Sequence, residues 1–150
     1  MSGQARTGLL ALAVTFSAGI HAGLVPEHLA EMPALGYAFI VAAAVGGAIA
    51  VALVYRPDDR RLPIVAGLLL IGEIVSWGLF VTVRVPGFSE TPEPVETIAL
   101  VSKLIEALGV LVALWIVAGP EPRARRAPSR AGSRSPSNHR LARMRSQRAG

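Results

Sequence analysis

Four stretches of this chain are apolar over the length needed to cross a lipid bilayer, and that limits its architecture more than any other feature. A hydrocarbon core about 30 Å thick takes about 20 residues of helix at ~1.5 Å rise per residue. Segments at about 8–25, 34–55, 62–83 and 95–118 meet or approach that length. The expected fold is therefore all-α, a four-helix transmembrane bundle over residues 1–118 followed by a disordered tail over 119–150. A hydrophobic share of 52% and a mean hydropathy of +0.50 agree with a membrane protein. The first segment, Gly8 to Val25, is the shortest, and a cleaved signal peptide is its competing reading. Its leader would carry only Arg6, its apolar run exceeds the usual ~7 to 15 residues, and no A-x-A site follows, so a retained span is expected.

Loop charge sets the expected orientation, because Lys and Arg gather in the short loops left in the cytoplasm. The connection from Arg56 to Arg61 holds Arg56, Arg60 and Arg61, and the tail holds nine Arg between Arg123 and Arg148. In contrast, Pro26 to Pro33 carries Glu27, His28 and Glu31 with no Lys or Arg. Arg84 to Glu96 sets one Arg against Glu90, Glu93 and Glu96. The alternation calls for four passes in the plasma membrane with both termini cytoplasmic. Prolines fall at or near these boundaries, where a missing N–H costs least.

The formal net charge of +5 belongs to the tail, whose Arg, Ser, Pro, Ala and Gly cannot bury enough apolar surface to offset the entropy of ordering. Its arginines are expected to meet anionic lipid headgroups at up to ~1 kcal/mol each. Nucleic acid is not the expected partner, since the tail has no aromatic residue to stack on bases. Absence of cysteine removes disulfides, thiolate metal sites and thiol nucleophiles. No GxSxG, P-loop, GxGxxG or paired catalytic aspartates occur, and no enzymatic activity is expected.

Against this apolar background Glu73, Lys103 and Glu106 stand out, because an ionisable side chain in hydrocarbon costs at least ~2.5 to 3.5 kcal/mol. Helical spacing places Glu73, Trp77, Phe80 and Arg84 on one stripe of the third helix. Glu96, Ser102, Lys103 and Glu106 share a broader face of the fourth, and Ser17 and His21 share one on the first. Counting ~1.5 Å per residue puts Lys103 about 12 Å and Glu106 about 17 Å below the outer surface, with Glu73 ~15 Å above the inner one. The cytoplasmic halves of the helices show almost no polar residue, which favours a pocket open to the outside over a channel. Its expected lining is His21, Glu73, Trp77, Arg84, Lys103 and Glu106.

Lys103 neutralises one of the two carboxylates, and the other then needs a proton, another side chain or a bound cation. The bland alternative is an interhelical Glu73–Lys103 ion pair that fixes helix register. A divalent metal is the sharpest ligand reading, with His21, His28, Glu31 and Glu106 as candidate donors suited to Zn, Cu(II), Fe or Mn. It rests on donor type alone, for there is no HExxH, no His pair at i, i+4 and no Met cluster. A solvated turn is the plainer reading of Pro26 to Glu31, with Pro26 ending the first helix or starting a short interfacial one.

Small residues at four-residue spacing, Gly19 and Gly23, Ala38, Ala42, Gly46 and Ala50, and Gly109 and Ala113, allow close helix packing. Those on the second helix offer a face for a homo-oligomer or a partner membrane protein.

The run from His21 through Pro26, His28 and Glu31, then Gly36 to Phe39, Trp77 to Arg84, Pro86-Gly87, Glu96 and Glu106, resembles small four-span actinobacterial membrane proteins. The resemblance covers residues 10 to 115 and implies topology and a GC-rich bacterial origin without an activity. Two functions are thus expected to compete. One is an outward-facing intramembrane pocket for a small ligand, metal ion or proton. The other is a structural or interaction protein whose buried charges only hold helices together.

Overall fold

The computed structural model describes residues 2–83 and 95–119, and the tail from 120 onward and the connection 84–94 lie outside the described residues. Four helices make up the all-α fold: α1 (Gly3–Glu31), α2 (Pro33–Tyr55), α3 (Arg61–Thr82) and α4 (Thr97–Ala118). Each is long and apolar enough to span a membrane. The surface has the polarity of a membrane protein. Leu12, Phe16, Val41, Val54, Leu68, Leu104 and Leu111 are all more than half exposed, while Ser17, Glu73, Ser102 and Glu106 are buried. In water that arrangement would leave large apolar patches solvated and carboxylates desolvated.

The first helix departs from the expected end at residue 25. It begins at Ser2, whose hydroxyl accepts from the Ala5 amide at 3.2 Å, and runs through Pro26 to Glu31. Pro26 removes one backbone donor, but packing carries the helix past it. Leu29, one turn beyond the proline, sits directly against Gly36 of α2. The helix stops at Met32, with φ −140° and ψ 81°, because Pro33 follows and excludes the helical conformation from the residue before it. Pro33 then opens α2, where a missing N–H costs nothing.

Three contacts bring the start of α1, the α2–α3 turn and the end of α4 to one end of the bundle. Thr7 Oγ1 donates to the Pro57 carbonyl at 3.5 Å, the Arg6 guanidinium lies 4.2 Å from the centre of the Trp115 ring, and Gly119 adjoins Arg6. Above that end lies an apolar core of Leu10, Ala11, Val14, Ile49, Ala50, Leu53, Ala66, Leu70 and Ala113. Around the bundle the helices run α2, α1, α4, α3. α1 packs extensively on both α2 and α4, α3 packs on α4, and the α2–α3 seam that closes the ring is sparse.

The small-residue stripes are used inside the chain. An added Cβ on Gly46 would come to 3.0 Å from the Ala18 Cβ, and one on Gly109 would meet Leu70 at 2.6 Å and Ala13 at 3.1 Å. Ala50 is in the core, so the lower half of the α2 stripe is spent on contacts within the chain. Gly19 and Gly23 of α1 instead face open space.

Gly36 makes the closest approach. A Cβ there would lie 2.7 to 2.8 Å from the backbone N and Cα of Leu29, which no rotamer change can relieve. We expect Gly36→Ala to destabilise the protein by about 1–3 kcal/mol as a forced overpacking. Gly47→Ala, which meets nothing within 4 Å, is its matched control and should be neutral or slightly stabilising. Thermal unfolding of the two variants in detergent checks this. Equal melting points would show that the α1–α2 approach is not a constraint.

Candidate functional site

Helical spacing assembles the polar site one turn at a time. Ser17 and His21 are four apart on α1 and share a face, as do Ser102 and Glu106 on α4, with Lys103 three before Glu106. Glu73 comes from α3 to meet them.

Glu106, fully buried, is the centre of the network. Its Oε1 accepts from Ser102 Oγ at 2.7 Å and from Lys103 Nζ at 2.7 Å, and Ser17 Oγ lies 3.2 Å from it. Its Oε2 accepts from Lys103 Nζ at 2.6 Å. The single hydroxyl proton of Ser17 goes to the nearer acceptor, Glu73 Oε2 at 2.7 Å, so one hydroxyl on α1 stands between carboxylates on α3 and α4. Lys103 Nζ reaches the Glu73 backbone carbonyl at 3.3 Å. His21 Nδ1 lies 2.9 Å from the Ser17 carbonyl, an oxygen that only accepts. Nδ1 therefore carries a proton, and in the neutral ring Nε2 keeps its lone pair.

These distances settle which carboxylate Lys103 serves. The expected interhelical Glu73–Lys103 ion pair is not formed, because the ammonium is held by Glu106 on its own helix. Proximity at i, i+3 wins, and the link between helices is made by Ser17. Among the described residues Glu73 is the buried carboxylate left without an ion-pair partner.

Glu73, His21, Ser102 and Lys103 form one polar side, its floor, of a cavity of about 740 Å³ that also continues one turn along α3 to Leu68 and Leu69. Apart from Ser76 its walls are apolar and include Phe39, Trp77 and Phe80, and Val41 and Leu68 lie along the α2–α3 seam. The cavity occupies the half of the bundle nearer Met32. Between its floor and the opposite end lies the apolar layer of Leu10, Val14, Leu53 and Leu70. The polar path ends at the floor.

Of the residues expected in the site, His21, Glu73, Lys103 and Glu106 come together, and Trp77 stands above Glu73 on the wall. Arg84 lies outside the described residues. The metal set changes. His21, Glu73 and Glu106 each offer a donor atom, all within 4.8 Å of one another, whereas His28 and Glu31 are not in that group. Because α1 continues through Pro26, they stand about 10 and 15 Å further along its axis from His21. His28 bonds the Leu24 carbonyl through Nδ1 at 3.0 Å and packs its ring 4.5 Å from that of Phe39, while Glu31 is exposed. Tetrahedral zinc holds its donors roughly 3.3 to 3.6 Å apart, so a divalent ion would have to draw the three groups inward and displace the Lys103 ammonium. That ammonium already occupies the cation position at Glu106.

Ser17 and Ser102 are the working residues that the list of charges missed. Their signal was positional, since each lies four residues before a listed ionisable group on the same face. No protein-family model, curated protein or solved structure matches this chain.

Removing one member of a buried ion pair strands the other, whereas removing both relieves the desolvation cost. We therefore expect Lys103→Met, which leaves two carboxylates and no ammonium, to lose about 3–5 kcal/mol of stability. Lys103→Met combined with Glu106→Gln should recover most of it. Unfolding of the two single variants, the double variant and the native chain gives the coupling directly. A double variant as unstable as Lys103→Met alone would remove the ion pair as the source.

Proposed function

We propose that this chain is a four-span plasma-membrane protein that binds a small molecule in an intramembrane cavity open towards the outside, with the polar end of the ligand held at the His21–Glu73–Lys103 floor. One observation carries the reading: a buried polar network drawn from three helices ends at a carboxylate that faces an apolar-walled cavity of about 740 Å³. Pockets of ~300 to 1,000 Å³ with few, convergent polar groups are the usual form of small-molecule sites. A network that served packing alone would gain nothing from leaving a carboxylate on a void.

Orientation in this reading follows the loop charges. Arg56, Arg60 and Arg61 of the α2–α3 turn, with the arginines beyond residue 119, face the cytoplasm, and Glu27 and Glu31 face out. The cavity then lies in the outer half, and the tail arginines meet the inner-leaflet headgroups. Kinship with small actinobacterial four-span proteins is part of the same proposal.

The second reading is a structural clamp. It is favoured by the completeness of the Ser102–Lys103–Glu106 unit, which satisfies itself within α4. The chain has no cysteine, which makes a single introduced thiol a clean probe. In whole cells a membrane-impermeant maleimide should modify Ala42→Cys, on the cavity wall, and leave Ala66→Cys, in the fully buried core, untouched. Asp58→Cys, in the α2–α3 turn, should react only after lysis. If Ala42→Cys is as inert as Ala66→Cys, the open pocket is wrong and the clamp stands. If Asp58→Cys reacts on intact cells, the orientation is reversed.

A further inference from the structure

The cavity differs from a generic hydrophobic pocket in what its floor lacks. Glu73 is 9% exposed, and that exposure is onto the cavity. Its one side-chain hydrogen bond among the described residues comes from Ser17, and the only ammonium nearby is held by both oxygens of Glu106 at 2.6 and 2.7 Å. His21 offers no second positive charge in its neutral form, because Nδ1–H is spent on the Ser17 carbonyl and Nε2 presents a lone pair. The floor therefore offers the acceptors of the Glu73 carboxylate and the His21 Nε2 lone pair, with the Lys103 ammonium turned to Glu106.

The walls carry the second half of the argument. Phe39, Trp77 and Phe80 come from two helices and line the same space. Aromatic faces attract cations through their quadrupole, most strongly when both partners are desolvated. Around them the lining is aliphatic except for Ser76, and the volume far exceeds what a bare ion fills. An anion would meet Glu73 at close range. A neutral guest would leave its charge uncompensated, and a hydrated metal ion has no use for apolar walls. A cation with an apolar body satisfies the floor and the walls together.

We propose that the ligand of this cavity is a lipophilic organic cation, an alkyl- or arylammonium whose charged end pairs with Glu73 and whose body lies against Phe39, Trp77 and Phe80. This rests on the cavity being a binding site, and it adds the chemical class of the guest. Glu73 acts as counter-ion, with Ser17 orienting it.

The chain has two tryptophans, Trp77 on the cavity wall and Trp115 beside Arg6 at the other end, so Trp115→Phe leaves one reporter in the site. The test is a titration of that protein, purified into lipid nanodiscs, with 4-phenylbutyltrimethylammonium and with its uncharged carbon isostere, in which tert-butyl replaces trimethylammonium. The cation should change Trp77 emission saturably and bind roughly tenfold or more tighter than the isostere. Glu73→Gln should bring the two affinities together by weakening the cation alone. Phe39→Leu, which removes no hydrogen bond of the polar network but does remove the ring packed 5.1 Å from that of His21, should weaken the cation several-fold and the isostere little, and it answers the question if Glu73→Gln does not fold. Equal affinities in the native site would overturn the cation class and leave the cavity reading intact. A preference that survives both substitutions would overturn the assignment of Glu73 and the aromatic wall. Binding of neither compound would overturn the inference, with the Ala42→Cys labelling deciding whether the cavity reading falls as well.

Discussion

Hydrocarbon supplies no hydrogen-bond partners, so a carboxylate placed in it must find all of its donors within the protein. Glu106 is that carboxylate here, and the upper bundle is organised around it. Its own helix supplies Ser102 and Lys103, which requires only the regular spacing of α4. The remaining polar contact comes from Ser17 of α1, whose Oγ lies 3.2 Å from Glu106 while donating its proton to Glu73 on α3 at 2.7 Å. Three helices are thereby tied at a single height by a side chain too short to tolerate much displacement. Buried charges of this kind add little net stability over an apolar core of the same shape, yet they penalise every arrangement that leaves them unpaired. The network specifies which faces meet.

Much of this was legible in the sequence for reasons that can be named. Segment length and loop charge required an even number of passes, and the Arg6–Trp115 contact shows the first helix beginning at the end where the last finishes. Rise per residue placed Glu73, Lys103 and Glu106 at a common depth, because depth depends only on position along a helix. Pairing was not legible. It depends on the rotation of each helix about its axis, so Lys103 was equally available to a carboxylate three residues away and to one across the bundle. Pro26 misled for a related reason. Its local cost is fixed, but the contact of Leu29 with Gly36 that carries the helix past it is tertiary. The metal donors shifted as a direct result, since a continuous α1 carries His28 and Glu31 away from His21.

The small residues show the same division between local pattern and tertiary use. Four-residue spacing said that α2 had a face suited to close approach, and said nothing about what approached it. Gly46 turns out to receive Ala18 of the same chain, and Gly109 receives Leu70 and Ala13. Higher on α2, Ala38 and Ala42 border the cavity, where small side chains create volume and do not fill a contact. One periodic stripe thus produces tight packing at its lower end and empty space at its upper end.

The sparse α2–α3 seam gives the bundle the mechanics of a book. Its spine is the α1–α4 contact, which holds both the 3.2 Å Ser17–Glu106 contact and the Arg6–Trp115 stack, and its covers are the α1–α2 and α3–α4 pairs. Turning the covers about that spine widens the fore-edge while sparing most of the packing within each pair. What resists is the 2.7 Å bond from Ser17 to Glu73, which crosses from one cover to the other. The group that faces the cavity is therefore also its latch, and any guest that takes the place of Ser17 at Glu73 loosens the closure as it binds.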